Sequence, residues 1–164
     1  MDESCCSTSD TETRRTALEP ESKSPGCPTC GYHGPSVDRQ AVAAMTLGHV
    51  APKQNYWLCR DVDCRTVYHG DRGALFDIDD MHVVPGFKVS GPEGLVCYCF
   101  MHSRGEIEDE LRASGETTVP QRITAEIKAG NCACEVRNPT GRCCLGEVNQ
   151  AVALISERLS EVVK

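Results

Sequence analysis

The clearest hydrophobic pattern lies at the C-terminal end of the chain. Apolar side chains recur there at alternating spacings of three and four residues, at Leu145, Val148, Val152, Ile155, Leu159 and Val162. This period places them on one face of a helix, with polar residues on the other face. The pattern therefore predicts a long amphipathic helix whose apolar face packs against a core.

Two shorter helices are predicted before the long one. Ser103 and Glu106 form a capping-box pattern ahead of an apolar i, i+4 pair, and Gly115 is placed to end that helix. Pro120 suits a first helical position, a second apolar pair follows, and Gly130 ends the second helix. The second half of the chain is therefore predicted to contain two short helices and one long helix.

The pattern is different in the first half, where short runs favour strands. Ala41 to His49, Asn55 to Leu58 and Thr66 to His69 are compatible with β-structure, and Met81 to Val89 is compatible with edge strands. The segment Ser90 to Gly94 has the Gly/Pro composition of a linker. We therefore expect a small β-rich unit before this linker and a helical unit after it.

The first 25 residues are rich in Ser, Thr, Asp and Glu and show no apolar period. This composition predicts a disordered tail, residues 1–25. The tail carries the adjacent pair Cys5 and Cys6. The pair is either incidental or a mobile hook for a soft metal, because vicinal thiols suit Cu(I) or Hg(II).

Composition and charge narrow the possible functions. The net charge of −7 argues against nucleic acid as the main partner. No run approaches the ~18 apolar residues of a membrane span, and the N-terminus lacks the pattern of a secretory signal. We therefore expect a cytoplasmic protein. We expect no enzymatic activity, because no catalytic triad order, phosphate loop or dinucleotide fingerprint is present.

The twelve cysteines carry most of the recognisable chemistry. In a reducing compartment, clustered cysteines usually indicate metal or redox chemistry. A C-x2-C pair and a C-x4-C pair in the first half fit a closed tetrahedral zinc site, on Cys27, Cys30, Cys59 and Cys64. A redox dithiol at the first pair is disfavoured because no βαβ pattern surrounds it. His33 or His69 remains a possible replacement for one thiolate.

Six further cysteines fall into two groups in the second half, at Cys97, Cys99, Cys132, Cys134, Cys143 and Cys144. A [2Fe-2S] cluster needs four thiolates that converge on two irons. The residues alone do not choose four of the six, and the two Cys-x-Cys pairs would give one symmetric solution. A second zinc site and a dithiol or disulfide redox site are the alternatives.

These patterns predict an α+β fold. A small β-ribbon subdomain pinned by zinc, residues 26–90, would precede a three-helix subdomain that binds a [2Fe-2S] cluster, residues 95–164.

Several motifs also carry a resemblance to a known family. In the first half they are CPTC, TLGHV, YWLCRDVDC and TVYH, and in the second half VCYCF and CEVRNPTGRCC. In this order they resemble the N-terminal domain of CopZ-type copper chaperones, which are iron–sulfur-binding metallochaperones. A more distant likeness is to bacterioferritin-associated ferredoxin, a small helical [2Fe-2S] protein.

The resemblance implies a specific ligand set for each centre. It places a [2Fe-2S] cluster on Cys97, Cys99, Cys134 and Cys144. It places zinc among Cys27, Cys30, Cys59 and Cys64. It leaves Cys132 and Cys143 unassigned.

The resemblance also implies a function. The cluster would couple its redox chemistry to the handling of a soft metal ion, Cu or Hg, with a metal-transfer or redox protein as partner. Reduction of Cu(II) to Cu(I) is one example. The family's Met-x-Cys-x-x-Cys copper loop has no counterpart in this sequence, so Cys5 and Cys6, or Cys132 and Cys143, would take its place. A ferredoxin-like electron-transfer adaptor and a structural module with zinc alone are the other functions considered.

Overall fold

The computed structural model describes residues 24–162. The first half is built on a small antiparallel sheet and the second half is mainly helical, which confirms the mixed α+β class. The predicted N-terminal tail, with Cys5 and Cys6, lies outside the described residues apart from Ser24 and Pro25. In the part of the chain that is described, no helix is long and apolar enough to cross a membrane.

The first half contains a four-stranded antiparallel sheet in sequential strand order. Its strands are β1 Ser36–Val37, β2 Tyr56–Leu58, β3 Thr66–Gly70 and β4 Leu75–Asp77. Helix α1, Arg39–Met45, packs against it, and a short 3-10 helix, Ile78–Asp80, follows β4. The core between them is formed by Val37, Ala41, Val42, Met45, Tyr56, Leu58, Val67, Tyr68 and Phe76.

The prediction of β-structure from Ala41 to His49 is wrong for its first five residues, which lie in α1. The Asp38 side chain caps this helix by accepting a hydrogen bond from the Gln40 amide at 2.7 Å. One helical face is then buried, through Ala41, Val42 and Met45. A short apolar run fits a strand or a buried helix equally well, and the capping aspartate decides between them here.

The predicted edge strands from Met81 to Val89 are also absent; this range is fully described and forms no named strand. Met81 makes one isolated bridge, and Gly86–Lys88 forms a 3-10 helix after Pro85. The Arg104 guanidinium binds the carbonyl oxygens of Gly86 and Val89. The Arg104 side chain therefore donates to the backbone carbonyl oxygens that would otherwise accept hydrogen bonds from a neighbouring strand.

The second half begins with a two-stranded hairpin, β5 Leu95–Cys97 and β6 His102–Ser103. Four helices follow: α2 Arg104–Ser114, α3 Val119–Lys128, α4 Cys134–Arg137 and α5 Leu145–Val162. Helices α2, α3 and α5 are those that the sequence pattern predicts. The single turn α4 was not predicted, because four residues are too few to show a helical period.

The start of α2 shows one half of the predicted capping box. Ser103 Oγ accepts a hydrogen bond from the Glu106 amide at 3.2 Å. The Glu106 carboxylate instead pairs with His102 Nδ1 at 2.7 Å and with Arg122 at 2.8 Å. It thereby ties the start of α2 to α3, and Gly115 ends α2 in the left-handed conformation as predicted.

Buried and charged contacts join the two halves. The buried Tyr68 hydroxyl of β3 donates a 2.7 Å hydrogen bond to the carbonyl oxygen of Pro139, which lies between α4 and α5. Arg60, just after β2, forms a 2.7 Å ion pair with Glu147 in the first turn of α5. The halves therefore pack against each other through groups that lie next to the cysteine-bearing segments.

Candidate metal centres

The first cysteine pair lies on a tight turn. The Gly31 amide donates to the Cys27 carbonyl at 2.7 Å, and the Cys27 amide donates to the Tyr32 carbonyl at 2.8 Å. These bonds close a loop around Cys27, Pro28, Thr29 and Cys30. The backbone amides inside such a loop point towards the sulfur atoms, which favours thiolates over thiols.

The second pair is presented by the sheet. Cys59 directly follows β2, and its amide donates to the Val67 carbonyl of β3 at 2.8 Å. Cys64 comes before β3, and its amide donates to the Asp61 carbonyl at 3.3 Å. The loop between two paired strands therefore holds both cysteines opposite the Cys27 turn.

All four sulfur atoms lie within 4.8 Å of one another. The Sγ–Sγ distance is 4.0 Å for Cys27 and Cys64, and 3.5 Å for Cys30 and Cys59. Zinc–sulfur bonds of about 2.3 Å in a tetrahedron require sulfur atoms about 3.8 Å apart. The donor set and its spacing therefore fit a zinc ion held by four thiolates.

Hydrogen bonds and burial set the protonation of these thiols. For Cys27, burial raises the pKa, but the amides of Cys30 and Thr29 outweigh it, and the pKa falls to about 7. Burial raises the pKa of Cys59, against the opposing charge of Lys88. Amide donors therefore favour the thiolate of Cys27, whereas burial favours the protonated thiol of Cys59.

Sequence reasoning missed Lys88, a cation that contacts this group. Its ammonium donates to the carbonyl oxygens of Asp61 at 2.6 Å and Cys64 at 2.8 Å, and to Cys59 Sγ at 3.7 Å. A zinc ion with four thiolates carries a net charge of −2, so a fixed ammonium stabilises it. No local sequence motif marks Lys88. Its side chain reaches the site because of the 3-10 helix at Gly86–Lys88, which the sequence does not predict.

The two histidines considered as substitute ligands lie outside the group. His33 Nδ1 is 2.6 Å from the Ser24 carbonyl oxygen. The His69 ring is buried and stacks on Trp57 with the ring centres 5.9 Å apart. Burial also lowers the pKa of His69.

In the second half, the four cysteines singled out by the resemblance come from three segments and are all buried. Cys97 ends β5 and Cys99 follows it in the hairpin turn. Cys134 is the first residue of α4. Cys144 directly precedes α5, and its carbonyl accepts the Val148 amide at 2.9 Å. Helix α4 therefore begins at a cysteine, and α5 begins directly after one.

These four thiols are linked by sulfur contacts. Cys99 Sγ lies 3.6 Å from Cys134 Sγ and accepts a hydrogen bond from the Ala133 amide at 3.4 Å. A hydrogen bond with the Cys144 thiol lowers the pKa of Cys97 to about 7 and that of Cys134 to about 5. The structure therefore gathers the four thiols in one buried apolar cluster.

Cys132 and Cys143, which sequence reasoning left unassigned, differ in position. Cys132 Sγ is 3.1 Å from Cys134 Sγ, and the sulfurs of Cys99, Cys132 and Cys134 all lie within 4.8 Å of one another. Among the described residues, Cys143 belongs to neither group of closely spaced ligand atoms. Both side chains are half-buried.

The loop between α4 and α5 is fixed by a turn. The buried Asn138 side chain accepts hydrogen bonds from the Thr140 amide and hydroxyl, both at 2.9 Å, and the Gly141 amide donates to its carbonyl at 2.8 Å. Gly141 has a φ of +66°, and a Cβ there would lie 3.1 Å from the Ala41 side chain of α1. The turn therefore brings Cys134 and Cys144 together and rests on the first half.

Tyr98 lies between two of the cysteines and connects the two centres. Its hydroxyl accepts a 2.7 Å hydrogen bond from the buried Gly86 amide, and burial raises its pKa to about 12. Gly86 begins the same 3-10 helix that ends at Lys88. The hairpin that carries Cys97 and Cys99 is thus anchored to the segment that reaches the other cysteine group.

Comparisons with known proteins bear on the fold and on the first cysteine group. Residues 24–82 match the family model zf_CopZ, described as a zinc binding domain. The fold resembles the X-ray structure of the Archaeoglobus fulgidus CopZ N-terminal domain, with a TM-score of 0.60 and 23% sequence identity over 76% of this chain and 95% of that one. No curated protein matches the chain. Together with the four-cysteine group, the family match supports a zinc-binding domain of the CopZ type at residues 24–82.

Proposed function

We propose that this chain is a metallochaperone-type protein with two resident metal centres. Zinc would be held by Cys27, Cys30, Cys59 and Cys64, and a [2Fe-2S] cluster by Cys97, Cys99, Cys134 and Cys144. The cluster would supply electrons for handling a soft metal ion such as Cu(I) or Hg(II). The observation that carries the proposal is that each half of the fold gathers its own buried group of thiols.

The zinc assignment rests on the closed form of the first group. Four sulfurs converge with no carboxylate or imidazole among them, and three of the four cysteines are buried. A closed set of four thiolates is typical of structural zinc rather than of zinc that activates water. We therefore assign this centre the task of holding the first half in shape.

The iron–sulfur assignment rests on the second group. Its thiols lie among apolar side chains, at the starts of two helices and in a hairpin turn. Backbone amides in such places donate to sulfur, as the Ala133 amide does to Cys99, and this raises the reduction potential of a cluster. We propose electron transfer and metal binding as the activity, with no turnover of an organic substrate.

Metal analysis with visible absorption and EPR, on protein purified without oxygen, tests both centres. We expect about two irons and one zinc per chain. Cys97→Ser should lose iron and keep zinc, and Cys27→Ser should lose zinc. Cys143→Ser, a matched cysteine substitution outside the proposed ligands, should keep both metals. Colourless protein that contains zinc alone would instead make the chain a structural zinc module.

A ferredoxin-like electron-transfer adaptor is the second candidate. It is favoured by the position of the second thiol group near the surface, since Cys132 is half-buried and Met101, in the hairpin turn, is 60% exposed. The two candidates differ in one rate, that of Cu(II) reduction by the reduced protein in the presence of a Cu(I) chelator. A faster rate than that of the zinc-only protein supports metal handling. An equal rate leaves transfer to a protein partner.

A further inference from the structure

A group of three closely spaced sulfurs contains two proposed ligands of the cluster and one cysteine outside that ligand set. Cys132 Sγ lies 3.1 Å from Cys134 Sγ, and Cys134 Sγ lies 3.6 Å from Cys99 Sγ. All three sulfurs are within 4.8 Å of one another, a limit that Cys97 and Cys144 do not meet with the whole group. The sequence left Cys132 without an assigned role, but its sulfur lies close to the sulfurs of Cys99 and Cys134.

The backbone accounts for this convergence. Ala133, between the two cysteines, has φ −142° and ψ 49°, and its amide donates to Cys99 Sγ at 3.4 Å. In a fully extended Cys-x-Cys segment the two cysteine side chains would point to the same side, and the bend at Ala133 keeps both next to Cys99. The amide then holds the third sulfur in place.

Three sulfurs in this setting select for a soft cation. Thiolates prefer Cu(I) among the cations of a cell, while zinc prefers a complete set of four ligands, which the first group of cysteines already offers. Cys99 and Cys134 are buried and Cys132 is half-buried, so the group has an apolar floor and one open side. A cation can therefore reach it from solvent through Cys132.

We propose that Cys99, Cys132 and Cys134 form a three-sulfur Cu(I) site in the cluster-free protein. This rests on the proposed function, because two of the three sulfurs are also proposed ligands of the cluster. Cu(I) and the cluster therefore exclude each other on one chain. Binding forms three copper–sulfur bonds, releases to solvent the protons of those sulfurs that are still protonated, and transfers no electrons.

The test uses this chain, loaded with zinc and free of the cluster, with Cys5→Ser and Cys6→Ser in the background to remove the N-terminal thiols. Cu(I) is competed against a chelator of known affinity, and copper X-ray absorption counts the sulfurs around the metal. We expect one Cu(I) per chain with three sulfur neighbours and no release of zinc.

Cys132→Ser and Cys143→Ser then form a matched pair. Loss of a direct ligand should weaken Cu(I) binding by more than the ~10-fold that loss of a supporting partner costs. We expect that loss in Cys132→Ser and unchanged affinity in Cys143→Ser. Equal affinities in the two variants, two sulfur neighbours, or release of zinc with the first equivalent of Cu(I) would each overturn the site.

Failure of this site is distinguishable from failure of the proposed function. The Cu(I) measurement is made without a cluster, so it is independent of whether iron is incorporated. Iron incorporation is measured separately on the Cys132→Ser variant, which keeps all four proposed cluster ligands. That variant should assemble the cluster and fail to bind Cu(I) tightly; loss of the cluster in it would overturn the division of roles between Cys132 and Cys144.

Discussion

Removal of the ammonium beside the zinc site, by Lys88→Met, is expected to weaken zinc binding. The ammonium lies 3.7 Å from Cys59 Sγ, and in a protein environment two unit charges about 4 Å apart interact by about 4 kcal/mol. Lys88 is only half-buried, so solvent screens part of this attraction. Loss of supporting groups around a metal typically costs 10–100-fold in affinity, or about 1.4–2.8 kcal/mol, and we expect a value in that range.

The zinc dissociation constant, from competition with a chelator, measures this change directly. Lys128→Met is the matched control, because it removes an exposed lysine from the last turn of α3 by the same substitution. The unfolding free energy of the zinc-free protein should be measured too, since Lys88 also binds the carbonyls of Asp61 and Cys64. Equal zinc affinities in the two variants would refute the electrostatic role of Lys88.

Three further predictions concern stability. Tyr68→Phe should lower the unfolding free energy by about 1–3 kcal/mol in urea denaturation, because it leaves the Pro139 carbonyl without its buried donor. Gly141→Ala should cost more than the ~1–2 kcal/mol of a left-handed non-glycine residue, because the added Cβ also meets α1. The Thr118 amide holds the pKa of Glu110 below its ordinary 4.5, so Glu110 should stabilise the fold above that pH and lose its effect as pH falls through the lowered value.

Each of these predictions has an internal control. Tyr56→Phe breaks a longer hydroxyl bond of 3.4 Å and should cost less than Tyr68→Phe; an equal cost would remove the special role of Tyr68. Gly73→Ala has a similar positive φ but open space around it, so a cost as large as that of Gly141→Ala would contradict the steric argument. For Glu110→Gln, a difference from wild type that persists unchanged at low pH would show that the charge is not responsible.

The elements that the sequence predicts correctly are those with a repeated signal. Helix α5 repeats its apolar stripe over five turns, and α2 has the Ser103 cap at one end and Gly115 at the other. Helix α1 was not predicted because its seven residues cover fewer than two helical turns, too few to show a repeated apolar pattern. Its one local signal was Asp38 before the apolar residues, and tertiary burial then fixes the helix.

The cysteine pairs of the first site could be anticipated because short loops limit where their sulfurs can lie. The second group depends on three segments that meet only after folding. Whether Cys132 or Cys144 lies nearer to Cys99 depends on the backbone at Ala133 and on the buried Asn138 turn. Sequence spacing contains no information on those dihedral angles, so the proximity of Cys132 emerged only from the structure.

The two centres are connected by a segment that no motif marks. The 3-10 helix Gly86–Lys88 donates to the Tyr98 hydroxyl at its first residue and to Cys59 Sγ at its last. Arg104, the first residue of α2, holds the carbonyl of Gly86. Both contacts come from one turn of 3-10 helix, so the same three residues position the ammonium beside the first cysteine group and anchor the hairpin that carries Cys97.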